Sequence, residues 1–188
     1  MGQVNAGMVM SMDGFVKGRD GNSTPLYPVF DDMMASDLMQ EIIATTGAVV
    51  MGRTTYDMSQ GDYTGYEFQV PLFIVTHKAP ETKAKGENDK LSINFITDGL
   101  KSAIEKARTA AGDKDVVIVG GANVIQQCLK AGLIDELQIG ISPVLLGDGL
   151  RLFEKLENEH IKLEKVKVIE WPGGVTEIRF RVLKETSA

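Results

Sequence analysis

Hydrophobic and polar positions along the chain follow two spacings. Short apolar runs predict buried β-strands, and they occupy residues 4–10, 48–51, 72–75, 93–96 and 116–119. Elsewhere apolar side chains recur every three or four residues, which predicts helices with one buried face. These stretches are residues 30–44, 100–107 and 124–129. The chain therefore alternates between strand and helix, as in folds whose parallel strands are joined by helices.

The C-terminal part of the chain has a different pattern. Apolar side chains alternate with other residues over 137–141, 166–168 and 178–182, and Pro172-Gly173-Gly174 lies between the last two stretches as a turn. This pattern predicts an antiparallel hairpin. We therefore predict one domain over residues 1–188 with a three-layer αβα fold, whose central sheet is mostly parallel and ends in that hairpin.

Single residues predict where one helix begins and ends. Asp98 is a candidate N-cap for the helix over residues 100–107, and Gly112 is a candidate stop. Two further stretches, residues 17–28 and 59–69, are rich in glycine, proline and polar residues. They predict long loops, which in compact domains are often functional.

Composition limits the classes of partner. The formal net charge of −6 argues against a nucleic-acid partner, which needs a basic face. No apolar run approaches the roughly 20 residues of a membrane span, and no signal-peptide pattern is present. Cys128 is the only cysteine, so no internal disulfide is possible. We expect a cytoplasmic protein, and no spacing of His, Cys, Asp and Glu predicts a metal site.

The most informative segment is the strand that runs into Gly120-Gly121 and then directly into a helix. In a parallel sheet this arrangement places backbone N–H groups and the positive end of a helix at the carboxyl edge, where anions bind. Glycines also let a pyrophosphate approach the backbone closely. The alternative is that Gly120-Gly121 only forms a tight turn.

Two other strand ends carry similar chemistry. Gly52-Arg53-Thr54 follows one strand and begins a helix, and Thr76-His77-Lys78 ends another. Arginine, lysine and hydroxyl groups can bind phosphate, although each could equally be solvated. Together the three strand ends predict a ligand with two separated phosphate groups, such as a dinucleotide with a pyrophosphate and a 2′-phosphate.

These segments resemble a known superfamily. Met51-Gly52-Arg53-Thr54-Thr55-Tyr56 resembles the M-G-R-x-T-W element of dihydrofolate reductases, and residues 118–125 resemble their strand-glycine-glycine-helix element. Ser11-Met12-Asp13-Gly14-Phe15 resembles the S-L-D-G opening of the riboflavin-biosynthesis reductase domain and its small stand-alone relatives. Asp135-Glu136-Leu137 and residues 142–149 also resemble that branch. The resemblance extends from Val4 to about Leu183.

The resemblance implies NADPH as the cofactor. It places the pyrophosphate at residues 120–124, the 2′-phosphate at residues 76–78 and the nicotinamide at residues 8–9. It also implies that residues 15–18 begin a mobile loop over the site. The cofactor-binding residues that it implies are Met8, Val9, Gly18, Gly52, Arg53, Thr54, Thr76, His77, Lys78, Gly120, Gly121, Ala122, Asn123, Val124 and Ile125.

The resemblance further implies a reductase that passes hydride to a small heterocyclic C=N or C=O substrate. The named candidate is 5-amino-6-(5-phosphoribosylamino)uracil, and dihydrofolate is the alternative. A third possibility is an NADP-binding module without turnover. The T-x-x-x-D-x-P element that holds a ribose phosphate in the riboflavin branch does not follow Thr54-Thr55-Tyr56 here, which puts that substrate in doubt.

Dihydrofolate reductases carry one carboxylate at the start of the first helix, beside the pterin. Asp32 is the candidate catalytic acid in this chain, with Asp31, Asp37 and Asp13 as alternatives. Acids at a helix start can also simply complement the helix dipole. The resemblance to the riboflavin branch, which is commonly dimeric, also predicts a homodimer, and the alternative is that the C-terminal hairpin only closes its own sheet.

Overall fold

A computed structural model describes residues 2–154, 156 and 160–184 of the chain. The strands are β1 (Val4–Ser11), β2 (Phe15–Lys17), β3 (Thr46–Gly52), β4 (Leu72–Val75), β5 (Ile93–Ile96), β6 (Asp115–Ile118), β7 (Glu136–Ser142), β8 (Leu150–Arg151), β9 (Leu163–Glu170) and β10 (Thr176–Val182). Eight of them form one sheet in the order β5-β4-β3-β6-β1-β7-β10-β9, and β2 pairs with β8 in a two-stranded sheet.

The large sheet is parallel from β5 to β7 and antiparallel beyond it. In the parallel part Val4 lies beside Val116 and Ala6 beside Leu137. In the antiparallel part β10 pairs with β7 and with β9, which is joined to it by the turn at Pro172–Gly174. The predicted mixed α/β fold, with a mostly parallel sheet and a C-terminal hairpin, is confirmed.

The described residues form five α-helices beside the sheet: α1 (Phe30–Ala35), α2 (Asp37–Thr45), α3 (Arg53–Met58), α4 (Leu100–Ala111) and α5 (Ala122–Lys130). The prediction of one continuous helix over residues 30–44 is wrong, because the chain breaks at Ser36. Ser36 has extended backbone (ψ 148°), and its hydroxyl accepts from the Met39 N–H at 3.3 Å. The residue therefore caps α2 and does not continue α1.

The predicted N-cap of α4 is also wrong. Gly99 occupies that position, with φ at +105°, and no side chain caps the helix start. The Asp98 carboxylate instead accepts from the Ser102 hydroxyl at 2.9 Å and from Lys106 Nζ at 3.0 Å. These partners draw Asp98 along the helix surface, so the first N–H groups of α4 stay open to a ligand. Gly112 does end the helix, as predicted.

Apolar side chains cover both faces of the sheet. In β3, Ala48 and Val50 face the core that also contains Ile104 of α4 and Ile125 of α5. Their neighbours Val49 and Met51 belong to a second core on the other face, because successive side chains of a strand point to opposite faces. In the described part of the chain no helix has the length and apolar character to cross a membrane.

The stretch expected to begin a mobile loop is a paired strand. Phe15 and Val16 of β2 are buried, and the Phe15 ring lies 4.4 Å from the Arg151 guanidinium carbon. The Leu152 N–H donates to the Gly14 carbonyl at 3.0 Å. Burial and pairing with β8 hold these residues in place, so the true loop begins only after Lys17.

Candidate active site

A polar cleft opens at the carboxyl ends of β3, β4 and β6, with a volume of about 640 Å³. Ends of parallel strands meet at one edge of a sheet, where ligands of open α/β folds bind. The cleft is lined by Gly52, Arg53, Thr54, Val75, Thr76, His77, Lys78, Thr97, Gly99, Leu100, Gly121, Asn123, Val124 and Gln127.

The starts of three helices converge on this cleft. Gly52, Gly99 and Gly121 are the N-caps of α3, α4 and α5, and none of the three helix starts has a side-chain cap. The first N–H groups of an α-helix have no partner inside the helix, and the helix dipole makes that end positive. The cleft therefore presents backbone donors and positive potential to an anion, although the protein as a whole is acidic.

Glycines bring two of these helix starts together. The Gly52 N–H donates to the Gly120 carbonyl at 2.9 Å, and a Cβ on Gly52 would lie 2.9 Å from Val124 Cγ2. Gly120 has φ at +122°, which side chains rarely allow, and the Gly120-Gly121 peptide bond is cis. A Cβ on Gly121 would meet only the Thr55 hydroxyl, at 3.5 Å. The Gly121 position is therefore bare backbone with room beside it.

Arg53 connects the end of β3 with the segment that follows β4. Its Nε donates to Asp57 at 2.7 Å, and its Nη1 donates to the Lys78 carbonyl at 3.1 Å. The Thr76 hydroxyl donates to the same carbonyl at 2.9 Å. His77 and Lys78 are exposed. These bonds join Arg53 and Thr76 to the Lys78 backbone at one end of the cleft. His77 and Lys78 also line that end, so the four residues can surround a phosphate.

An apolar pocket of about 240 Å³ lies on the α2 face of the sheet. It is lined by Gly7, Met8, Val9, Tyr27, Phe30, Met33, Met34, Met39, Ile42, Glu67, Phe68, Val117, Val119, Gln138, Gly140, Trp171, Val175 and Glu177. The pocket adjoins the cleft at Met8, because a Cβ on Gly120 would lie 2.9 Å from Met8 Cε. A long ligand can therefore extend from the cleft into the pocket.

Two glutamates are the charged residues among those lining the pocket. Glu177 is only 7% exposed, and it accepts from Trp171 Nε1 at 3.0 Å and from Arg179 Nε at 2.6 Å. Glu67 stands at the rim. Although its side chain is exposed, the surrounding protein partly desolvates the carboxyl and raises its pKa.

The structure brings most of the sequence-predicted cofactor residues together. Gly52, Arg53, Thr54, Thr76, His77, Lys78, Gly121, Asn123 and Val124 line the cleft. Gly120 directly precedes Gly121 but is not among the residues that line the cleft, and Met8 and Val9 line the pocket. The other three do not line the cleft or the pocket. Ala122 and Ile125 are buried in the core, at 2% and 0% exposure, and Gly18 lies in a separate depression beside Arg19 and Asp148.

The structure also adds residues that the sequence did not indicate. Thr97, Gly99, Leu100 and Gln127 line the cleft. The sequence did not indicate Gly99, because Asp98 was predicted to be the N-cap of α4. A glycine directly before a helix is a signal that could have indicated a helix start without a side-chain cap. Gln127 lies one turn after Asn123, and the two amides are hydrogen-bonded; that spacing placed them on one face of the helix.

The candidate acid Asp32 lies outside the pocket. Asp32, Asp31 and Asp37 are exposed, and none of the three is among the pocket-lining residues. The first turn of α1 directs Met33 inward instead, at 6% exposure. Burying Asp31 or Asp32 would remove a charged group from water, which costs free energy. Methionine occupies the buried position of this turn instead.

Asp13 has a structural role. Its carboxylate accepts from the Ser11 hydroxyl at 2.5 Å, from the Leu146 N–H at 3.1 Å and from the Gly147 N–H at 2.7 Å. The Ser11 hydrogen bond, followed by the two backbone N–H groups, lowers the pKa of Asp13 to about 2. A carboxyl that is ionised at neutral pH is a poor proton donor, so Asp13 fastens the loop of residues 142–149 to β1.

No group of three or more His, Cys, Asp and Glu side chains able to hold a metal is found within residues 2–154, 156 and 160–184. Cys128 is fully buried, and burial raises the pKa of its thiol to about 12. A thiol in that state is inert as a nucleophile. The residues that line the cleft and the pocket offer guanidinium, ammonium, imidazole, carboxylate, amide and hydroxyl groups beside the backbone N–H groups.

Comparison with known proteins places this geometry in context. The RibD C-terminal domain family matches residues 3–176 of the chain. The Bacillus subtilis protein YyaP, whose function is uncharacterised, is 27% identical over 179 residues, which are 91% of this chain and 90% of that protein.

Solved structures share the fold. A Shewanella protein assigned to riboflavin biosynthesis has a TM-score of 0.78 at 24% identity, over 97% of this chain and 99% of its own. Dihydrofolate reductase from Enterococcus faecalis, solved with NADP(H), has a TM-score of 0.61 at 14% identity, over 97% of both chains. The dihydrofolate reductase-like fold implied by the sequence is thereby confirmed.

Proposed function

The chain belongs to the RibD C-terminal domain family, a family of reductase type, and we propose that it is an NADPH-dependent reductase of a small heterocyclic C=N or C=O compound. One observation carries the proposal: three uncapped helix starts converge on a cleft that opens, across Met8 and Gly120, into an apolar pocket. This geometry suits a long ligand with anionic groups at one end and a flat ring at the other.

The residues of the cleft fit a nicotinamide dinucleotide. Gly121 has no side chain where a pyrophosphate would meet the start of α5, and Gly99 offers the start of α4 in the same way. Met8 and Val9 would lie against the nicotinamide. When bound, the cofactor supplies the hydride, and the protein supplies orientation and electrostatics.

Arg53, Thr76, His77 and Lys78 would surround the 2′-phosphate. Charge-assisted hydrogen bonds stabilise a complex more than neutral ones, so NADPH should bind about tenfold or more tightly than NADH. Isothermal calorimetry with both cofactors measures this preference. Equal affinities would contradict the assignment of these residues to a 2′-phosphate.

In this proposal the proton comes from a carboxyl group that lines the pocket, and not from one of the exposed acids of α1. A raised pKa keeps a larger fraction of Glu67 protonated at neutral pH than an ordinary glutamate, which suits a general acid. Glu67 lines the pocket and Asp32 does not. We therefore propose Glu67 as the proton donor in place of Asp32.

The test of the proposed function is NADPH oxidation, followed at the absorbance of the reduced nicotinamide, with a panel of pterins, pyrimidines and small carbonyl compounds. Turnover of any member supports a reductase. Tight NADPH binding without turnover on the whole panel would favour a dinucleotide-binding module, and absence of NADPH binding would refute both.

A further inference from the structure

We propose that the apolar pocket continues past Gln138 into a polar cavity, and that this cavity takes an uncharged group of the substrate that both donates and accepts hydrogen bonds, such as a carboxamide. Asn5 accepts from that group and Arg179 donates to it. This inference rests on the proposed function, because it extends the substrate class of the same site. It makes Asn5 and Arg179 specificity-determining residues.

The polar cavity has a volume of about 200 Å³ and lies beside α2, at the amino ends of β1, β6 and β7. It shares Ile42, Val117 and Gln138 with the apolar pocket. Arg179 lines the polar cavity, and its Nε donates at 2.6 Å to Glu177, which lines the pocket. The two spaces therefore adjoin, so a ring in the pocket can carry a substituent into the polar cavity.

Asn5 brings a buried hydrogen-bond acceptor to the polar cavity. The residue is 6% exposed, and its Nδ2 donates to Asp115 Oδ2 at 3.2 Å. An ionised carboxylate can only accept, so the nitrogen of the Asn5 amide must face Asp115. The amide oxygen is then left without a hydrogen-bond partner among the described residues. A buried acceptor in this state is costly unless a ligand or a water molecule supplies the donor.

Arg179 brings a buried donor to the same cavity. Its side chain is 18% exposed, and its Nη2 has no hydrogen-bond partner within the part of the chain that the structure describes. Glu177 accepts from Arg179 Nε with one oxygen and from Trp171 Nε1 with the other. A guanidinium N–H needs an acceptor, and a carbonyl oxygen of a ligand can supply it.

The charges of the polar cavity select an uncharged group. Asp115 and Glu136 line the cavity and disfavour an anion, whereas the guanidinium of Arg179 disfavours a cation. A neutral group avoids both penalties. A carboxamide also offers an oxygen to Arg179 Nη2 and an N–H to Asn5 Oδ1, so it satisfies the two buried atoms together.

Binding to the protein saturated with NADPH tests the inference without any need for turnover. NADPH fills the proposed nicotinamide site, which benzamide could otherwise occupy. The probes are benzamide, acetophenone and benzoate, which share an aromatic ring and a carbonyl carbon. Acetophenone has a methyl group in place of the amide nitrogen and cannot donate, whereas benzoate is an anion. We expect benzamide to bind about tenfold or more tightly than either of the others in ligand-observed NMR titrations.

Variants assign the preference to the two residues. Asn5→Leu removes the acceptor and should abolish the preference for benzamide over acetophenone, with circular dichroism confirming that the variant is folded. Asn94→Leu makes the same change at another partly buried strand residue, which lines neither space, and should preserve the preference. Arg179→Met should weaken benzamide and acetophenone alike, because the carbonyl oxygen of both accepts from the guanidinium.

Each outcome separates this inference from the proposed function. Equal binding of benzamide and acetophenone to the unmodified protein would mean that the polar cavity holds only water, and tighter binding of benzoate would mean that it takes an anion. Either result overturns the inference, even if Asn5→Leu does not fold. A preference for benzamide that survives in folded Asn5→Leu also overturns it. In these cases NADPH binding leaves the reductase proposal standing, whereas absence of NADPH binding defeats the proposed function and this inference with it.

Discussion

Glu67 and Asp32 are both exposed carboxylic acids, but only Glu67 lines the pocket. Glu67→Gln should slow turnover at neutral pH by about 10²-fold, the lower end of what a general acid contributes. Asp32→Asn should leave turnover close to that of the unmodified protein. Neither variant should change NADPH affinity, because neither residue lines the cleft.

The role of Glu67 as the acid also predicts how turnover depends on pH. The pKa of Glu67 is raised by desolvation, so the protonated, donating form is present below that pKa and is lost as the pH rises through it. Turnover should therefore decline on the alkaline side of this pKa, and Glu67→Gln should lack that decline. A slow Asp32→Asn variant together with a normal Glu67→Gln variant would restore Asp32 as the acid.

A substitution that adds a side chain at Gly121 tests the proposed cofactor site. The residue has φ at −78°, which any residue can adopt, and a Cβ would meet only the Thr55 hydroxyl at 3.5 Å. Gly121→Val should therefore fold, while its side chain fills the space proposed for the pyrophosphate and reduces NADPH affinity about 100-fold or more. Ala131→Val, at the exposed other end of α5, is the matched control. Unchanged NADPH affinity in a folded Gly121→Val variant would reduce Gly120-Gly121 to a turn.

Residues differ in how far sequence indicates their role. Parallel strand ends meet at one edge of a sheet, so it could be predicted that Gly52, Arg53 and Gly121 line one cleft. Glu177 could not, because alternation along β10 shows only that Glu177 and Ile178 face opposite sides of the sheet. Whether the polar side faces solvent or a pocket depends on α2, which lies far away in the sequence, and on the turn that brings Trp171 beside Glu177.

At the scale of elements, Asp135 ties β1, α4 and the C-terminal strand together. Its carboxylate accepts from the Val4 N–H at 2.9 Å, from Arg108 at 2.8 Å and from Lys184 at 2.7 Å. Burial alone would raise the pKa of Asp135, but these hydrogen bonds and charges outweigh it and lower the pKa. The resemblance of Asp135-Glu136-Leu137 to the riboflavin branch thus has a structural basis.

Asp135→Asn should lower the free energy of unfolding by about 1–3 kcal/mol, the usual effect of disrupting a hydrogen-bonded charged group. Because the folded-state pKa is depressed, the carboxylate contributes its stability fully above its unfolded pKa of about 3.9 and loses it as the pH falls through the folded pKa. Urea unfolding at neutral and acidic pH should show a difference from the unmodified protein that shrinks at low pH. Asp89→Asn, at an exposed carboxylate, serves as control, and an equal effect of both variants would contradict the role of Asp135.

Strands with a clear apolar run could be predicted from the sequence. Helix ends that depend on side-chain hydrogen bonds could not. The limits of β4 and β5 agree with the apolar runs over residues 72–75 and 93–96. The helical pattern over residues 30–44 continued across Ser36, because apolar spacing does not report the hydroxyl that caps α2. Asp98 failed as a cap for the same reason, since Ser102 and Lys106 competed for its carboxylate.

At the scale of the whole molecule, the C-terminal hairpin exposes apolar side chains among the described residues. Most of the large hydrophobic side chains that are exposed among the described residues fall between residues 145 and 183. Val166 and Val168 of the edge strand β9 are 47% and 50% exposed, and Val168 lies beside Ile178 of β10. Where such side chains are contiguous, exposed apolar surface is typical of an interaction site. Lys165 and Lys167 discourage open-ended pairing of the strand edge, which favours a closed contact through the side-chain face.

We therefore propose a homodimer in which the β9 faces of two copies cover each other, since a symmetric pair is the commonest assembly of soluble proteins. Light scattering across micromolar concentrations should give about twice the chain mass of 20.5 kDa. Val166→Lys with Val168→Lys places two cations in the contact and should yield monomers, because unpaired charges are costly to bury. Met58→Lys changes a side chain that is 72% exposed outside this face and should leave the dimer intact. A mass near 20.5 kDa for the unmodified protein at every concentration would mean that the hairpin only closes its own sheet.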